Sequence, residues 1–233
     1  MSECTLHNLL TSCQYPQVFW IYQTNDYDEN ILLTKGTKQE MLEDDENSFD
    51  LIDHKGGLER GELMIIAGRN SNGKTSFALC CAVGVAQRGT AVGIFSLEMT
   101  NAQLGTRILS LTTGVDGERI KRADMDTTEW EQIVTADDTL PIYFDEVRSA
   151  DIDVVIANIK AMVAQHNVQV VVIDYLQLLR SRERERHQQM ASIAHRLETL
   201  SKQLEICIVL LSQLRRNVDK DPTPRLEELK ESG

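Results

Sequence analysis

Three observations predict an α/β chain built on a mostly parallel sheet with helices on both faces. Short apolar runs rich in β-branched residues alternate with longer stretches of helical periodicity. The first run leads straight into a glycine-bounded loop, Gly68-Arg69-Asn70-Ser71-Asn72-Gly73-Lys74-Thr75, which then opens into an apolar stretch of helix length. No internal repeat breaks the alternation, and strands alternating with helices imply βαβ units.

Each element has its own signal. Leu63–Ala67 is a short buried strand, and Ser76–Ala86 is an apolar helix ended by Gly89. Ala91–Leu97 is the next strand. Asn101–Thr113 is a helix with Thr100 or Asn101 as its cap. Asp126-Thr127-Thr128-Glu129 opens another helix with a capping-box pattern. Leu140–Phe144 is a short strand, and Ile152–His166 carries apolar residues at helical spacing. Val168–Ile173 is a strongly β-branched strand. Gln188–Leu204 is amphipathic, with Ile193, Leu197, Leu200 and Leu204 on one face, and Ile206–Leu211 is the last strand.

Residues 1–50 differ from the rest. Tyr15, Phe19, Trp20, Tyr22 and Tyr27 cluster there, and Glu40–Asn47 is an acidic run that reads as a solvated linker. The aromatics suit a packing arm, against the main domain or a neighbouring subunit, and equally a small ordered cap with no specific role. The expected organisation is an N-terminal arm and linker over 1–50 and one α/β domain over 51–233.

The glycine-bounded loop fits G-x-x-x-x-G-K-[ST], the phosphate-binding P-loop. Glycines let the backbone N–H groups close on a polyphosphate. Lys74 can reach the terminal phosphates, the Thr75 hydroxyl can ligate Mg²⁺, and the helix beginning around Ser76 adds its positive end. The strand–loop–helix setting is the one the motif requires. Ligands in such sheets sit beyond the carboxyl ends of the strands, so the residues there are candidates. Asp174 ends the β-branched strand and can support the metal. Glu98 follows the second strand and is either the group that orients or deprotonates an attacking water or an ordinary first-turn helix glutamate. Gln213 follows the last strand and is either a γ-phosphate sensor or a polar strand cap. Arg180, Arg182, Arg184 and Arg186 alternate with Glu183 and Glu185, giving a solvated mobile loop or a phosphate-tracking one. Arg215, Arg216 and Lys220 form a second basic group.

Composition sets the outer bounds. The chain has 233 residues, 42% hydrophobic and 26% charged, which suits one sizeable soluble core plus an appendage. No apolar run is long enough for a membrane span, and the start lacks a signal-peptide pattern. Five scattered cysteines point to a reducing compartment with neither disulfide framework nor zinc spacing; the expected setting is intracellular, in cytoplasm or nucleoid, an organelle matrix or a phage-infected cell. A net charge of −12 argues against a monomer whose whole surface is a nucleic-acid footprint but leaves room for a local basic strip.

Taken in order, these motifs resemble the C-terminal, RecA-like motor domain of the DnaB family of hexameric replicative DNA helicases. The resemblance covers about residues 51–233. It rests on Gly57–Leu63, Gly68–Thr75, Phe95-Ser96-Leu97-Glu98-Met99, Val172–Leu179, Leu211–Arg216 and Leu229-Lys230-Glu231-Ser232-Gly233. It implies a RecA-like P-loop fold and an ATP hydrolase that uses Mg²⁺ and moves 5′→3′ on single-stranded DNA as a homo-hexameric ring, with primase or a helicase loader as partner. It implies that Gly68–Ser76 binds nucleotide, that Lys74 and Glu98 are catalytic, that Thr75 and Asp174 serve the metal, and that Gln213 couples nucleotide state to DNA-contacting loops. Lys230, Glu231 and Gly233 are then candidate DNA contacts, to which the phosphate-tracking reading of the loop beside Asp174's strand adds Arg182 and Arg184. Asn70 and Asn72 depart from the family's usual P-loop residues, and Lys230 stands where arginine is usual, keeping the charge without the planar fork. The chain stops at Gly233, before the segment that supplies the family's arginine finger, and the family's helical N-terminal domain is not recognisable in 1–50. Slow ATP turnover by the isolated chain is therefore expected. The alternative is a RecA-like ATPase that does not unwind DNA, such as a recombination mediator or a regulatory or interaction subunit.

Overall fold

The computed structural model of the chain describes residues 19–24, 30–36, 60–68, 73–136, 139–146 and 149–213, the first two stretches as backbone only. The strands are β1 (Phe19–Thr24), β2 (Asn30–Gly36), β3 (Leu63–Gly68), β4 (Val92–Ser96), β5 (Ile142–Phe144), β6 (Val170–Asp174) and β7 (Cys207–Gln213). The helices are α1 (Lys74–Ala86), α2 (Asn101–Thr113), α3 (Gly117–Arg122), α4 (Thr127–Val134), α5 (Ile152–His166) and α6 (Arg186–Leu204), with a 3-10 turn at Leu176–Leu178. The strands form one sheet in the order β2-β1-β3-β7-β6-β4-β5. From β3 to β5 all neighbours are parallel. β1 adds antiparallel to β3, and β2 antiparallel to β1.

The predicted fold class is therefore the observed one. Strands β4 and β7 are buried along nearly their whole length, because a parallel sheet covered on both faces hides every side chain. Alternate residues go to opposite faces. Met64, Ile66, Ile94, Val172, Val209 and Leu211 pack with Phe77, Ala78 and Leu79 of α1 and Leu104 of α2. Leu63, Phe95, Val171, Ile173, Ile208 and Leu210 pack with Ile152 and Ile159 of α5 and Ile193 and Leu197 of α6. Two separate apolar cores thus clamp the sheet and fix the level at which each strand ends.

Local chemistry sets the helix boundaries. Thr100, rather than Asn101, caps α2: its hydroxyl accepts from Gln103 N at 3.2 Å, while Gln103 Oε1 accepts from Thr100 N at 2.8 Å. Asp126 and Glu129 close the predicted capping box of α4 in the same reciprocal way, both bonds at 2.9 Å. α2 and α5 match the sequence reading to the residue. α1 and α6 start two residues earlier than read, and β7 runs on to include Gln213. Three elements had no strong signal: the six-residue α3, capped by Asp116, and the strands β1 and β2. The acidic run 40–47, Tyr15, Tyr27 and the basic group Arg215, Arg216 and Lys220 lie outside the described residues.

Gly93 lets α5 approach β4. A Cβ there would lie 2.6 Å from Met162 Sδ and 3.4 Å from Val168 Cγ1. The thioether end can shift, but Val168 is buried. Gly93→Val should therefore destabilise the chain by about 1–3 kcal/mol through overpacking, measured by urea unfolding.

Candidate nucleotide-binding site

The carboxyl ends of four adjacent parallel strands converge. Gly68 at the end of β3 lies opposite Gln213 at the end of β7. Ser96 at the end of β4 lies opposite Asp174 at the end of β6. β6 and β7 pair with each other, so the four positions line one edge.

α1 begins at this edge. Its N-cap, Gly73, takes φ 73°, a left-handed conformation that glycine adopts without a Cβ penalty. It offers no side-chain cap, and no acidic residue lies in the first turn of α1. The positive end of the helix is thus unopposed by its own first turn, which suits an anion.

Lys74 and Thr75 point the chemistry inward. Thr75 Oγ1 donates to Asp174 Oδ2 at 2.8 Å, across 99 residues of chain. Asp174 is 3% exposed and Lys74 9%. Burial pushes the Asp174 carboxyl above the ordinary aspartate range, and the Glu98 charge adds to it, while the Thr75 bond, Lys74 and Arg107 pull the other way. Burial likewise lowers Lys74, against the opposing pull of Asp174 and Glu98. The site holds an amine and a carboxylate that are both short of water.

Glu98 is exposed, yet close enough for its charge to act on both. The turn that presents it is held at two points. Leu97 N donates to the Asp174 carbonyl at 3.0 Å, and Met99 N donates to Ser96 Oγ at 3.1 Å. Ser96 is itself buried, so the catalytic candidate sits on a fixed turn rather than a loose loop.

Gln213 is fixed by a residue that sequence reasoning passed over. Gln177, in the 3-10 turn after Asp174, accepts from Gln213 N and donates to Gln213 O and Ser212 Oγ, each at 3.0 Å. Ser96 was also missed. A polar residue closing a buried strand was the available signal for Ser96, whereas a pairing 36 residues apart left none for Gln177.

The remaining candidates separate. Arg69, Asn70, Ser71 and Asn72 lie outside the described residues, as do Lys230, Glu231 and Gly233. Arg182 is 94% exposed at its side chain and pairs with Asp153 at 3.7 Å. Arg184 is exposed. Their loop is solvated but well tied: Arg180 bridges Asp151, Gln189 Nε2 donates to the carbonyls of Ser181 and Glu183, and Ser192 Oγ donates to Glu183 Oε1. Arg186 is not part of the basic strip, because its guanidinium donates to the carbonyls of Gln177 and Leu179.

No group of three or more His, Cys, Asp or Glu able to hold a metal occurs among the described residues. One hydroxyl and one carboxylate, both hard oxygen donors, nonetheless fit Mg²⁺, which keeps several waters and takes other ligands from phosphates.

A P-loop whose threonine reaches the carboxylate closing a second parallel strand, on this sheet, defines a RecA-like P-loop nucleotide-binding core. The profile of the DnaB-like helicase C terminal domain matches residues 46–233, and the chain belongs to that family. It is 33% identical over 193 residues to the replicative DNA helicase DnaB of Synechocystis sp., covering 79% of this chain and 22% of that protein. Against DnaB of Rhodothermus marinus it is 37% identical over 190 residues, 76% of this chain and 20% of that one. The chain thus spans well under half the length of these relatives. A solved DnaB-like replicative helicase, described with its interactions with primase, superposes with a TM-score of 0.67 at 27% identity, covering 76% of this chain and 45% of its own. A solved ATPase domain superposes with a TM-score of 0.71 at 27% identity, over 78% of this chain and 68% of its own.

The raised Asp174 carboxyl has a definite sign. A carboxyl whose folded value lies above its unfolded one contributes stability that is present below the ordinary value of about 3.9 and lost as pH rises through the folded value. At neutral pH the charged Asp174 therefore costs stability, even with Lys74 beside it. Asp174→Asn should gain stability relative to the parental ligand-free chain at pH 7, less whatever buried Lys74 loses with its counter-charge. That gain should shrink as pH falls towards about 4. Thermal melts of both chains across this range check it.

Proposed function

We propose that this chain is the ATP-hydrolysing motor core of a DnaB-type replicative DNA helicase, acting with Mg²⁺ and moving 5′→3′ on single-stranded DNA. The observation that carries the reading is the Thr75–Asp174 bond, with buried Lys74 beside it and the Glu98 turn facing it. Lys74 and the first-turn amides of α1 would bind the phosphates. A buried ammonium short of water gains strongly from a polyphosphate, so the ligand offsets the cost of burying it. Thr75 and Asp174 would hold Mg²⁺, which neutralises charge on the transferring phosphoryl group when bound. Glu98, exposed at the mouth, would orient the attacking water and accept its proton. Gln213 would register the γ-phosphate, and the Arg182–Arg184 loop with Lys230, Glu231 and Gly233 would meet the DNA backbone.

The family profile, matching from residue 46, supports a motor core over 51–233; 1–50 would then be an arm that adds β1 and β2 to the sheet of that core. Membership of the family supports a homo-hexameric ring, with primase or a loader as partner, in an intracellular replication setting. The net charge of −12 favours the second reading, a RecA-like ATPase that hydrolyses without separating strands.

ATP turnover with and without single-stranded DNA, alongside unwinding of a forked duplex, separates the two. Stimulated turnover with strand separation supports the motor; stimulation alone supports the second reading. Lys74→Ala should abolish nucleotide binding or turnover. Glu98→Gln should keep nucleotide affinity and lose about 10²–10⁴-fold in rate. Parental turnover by Glu98→Gln would remove that residue from the chemistry.

A further inference from the structure

β7 runs past its neighbour. The ladder between β6 and β7 ends at Ile173 and Leu210, whereas β7 continues to Gln213 and stays paired with β3 as far as Gly68. Beyond Leu210, the β6 flank of this overhang has no strand partner among the described residues. The side-chain amide of Gln177 stands in that place. It accepts from Gln213 N and donates to Gln213 O, so it makes the two bonds that a neighbouring strand would make. Its second donor bond goes to Ser212 Oγ, which is fully buried. Only one orientation of the amide satisfies both the N–H and the carbonyl, so the pairing is directional.

The clamp is rigid at its other end as well. Gln177 lies in the short turn that follows Asp174 directly. The Gln177 and Leu179 carbonyls both accept from the Arg186 guanidinium at the start of α6. Arg186 NH1 is held in turn by Gln189 Oε1 at 2.8 Å. One side chain therefore ties the strand end carrying Gln213 to the segment leaving Asp174.

We propose that Gln177 is a positioning residue for hydrolysis: it fixes the backbone of Gln213 so that the Gln213 side chain is presented at the phosphate end of the site. This rests on the reading of the site as an ATPase centre. The Gln177 side-chain amide is engaged with Ser212 and the Gln213 backbone. It acts through Gln213, so removing it should change rate rather than binding.

The test uses the full chain in excess over ATP with Mg²⁺, so that a single slow turnover is readable. Five chains are compared: parental, Gln177→Ala, Gln177→Glu, Gln213→Ala and the double Gln177→Ala/Gln213→Ala. Affinity is read with a fluorescent ADP analogue and folding by thermal melts. Gln177→Ala should slow the single turnover by about 10–100-fold, the scale of a misplaced group. Its nucleotide affinity should stay within about twofold, as for a group serving only the transition state. Gln177→Glu keeps the acceptor for Gln213 N and should fall between parental and alanine. The double variant should be no slower than Gln213→Ala, because both changes disable one device.

A parental rate in Gln177→Ala overturns the inference while leaving the site reading intact. So do fully multiplicative effects in the double variant, or losses of affinity and rate that follow a fall in melting temperature. A Gln213→Ala chain with parental rate overturns the inference together with the role given to Gln213, whereas a parental chain that binds no nucleotide removes the site reading and the inference with it.

Discussion

Two charged groups held out of water govern the rest of this molecule. Lys74 and Asp174 sit at the end of the sheet, where burial works against the ionised form of each. Such a placement is weak evidence of a gain in stability, since the desolvation penalty of a buried ion pair can exceed its mutual attraction. The surrounding structure must keep them in place, and most of the fold can be read as doing so. Thr75 anchors the carboxylate through its hydroxyl. The Asp174 carbonyl anchors Leu97. The next turn anchors Gln213. The site is a connected set of bonds in which Asp174 and the turn after it touch the first turn of α1 and the ends of β4 and β7.

That connection needs strands that stop at defined levels. The two apolar cores, one on each face, lock the register of β3, β7, β6 and β4. A slip of one residue would send every buried side chain to the wrong face. The cost of such a slip is what holds Gly68, Gln213, Asp174 and Ser96 along one rim. Precision in the polar site is thus supplied by apolar packing below it.

Much of this was legible in the sequence, for physical reasons that differ by residue. The P-loop could be read because the spacing of Gly68, Gly73, Lys74 and Thr75 reports backbone geometry directly. α2 and α5 could be read because caps and period agree, as at Thr100 and Gln103. Asp174 and Glu98 could be read because strand ends are where such sheets keep their chemistry. β1 and β2 were not read, since neither stretch shows clean alternation and their pairing depends on an edge supplied by distant β3. α3 is too short to show a period. Gln177 resembles any polar residue after a strand. Its meaning comes only from β7 outrunning β6, a fact of tertiary register.

The far margin of the sheet carries a different consequence. β5 is three residues long, follows Pro141, and among the described residues pairs through the sheet only with β4. An exposed sheet edge invites a strand from another molecule, and brevity is one of the ways a protein discourages that. With so short a ladder on offer, an incoming strand would find few bonds to make before the chain turns away at Asp145. The molecule can therefore keep a strongly apolar, parallel sheet in a crowded setting without that edge serving as a seed for association.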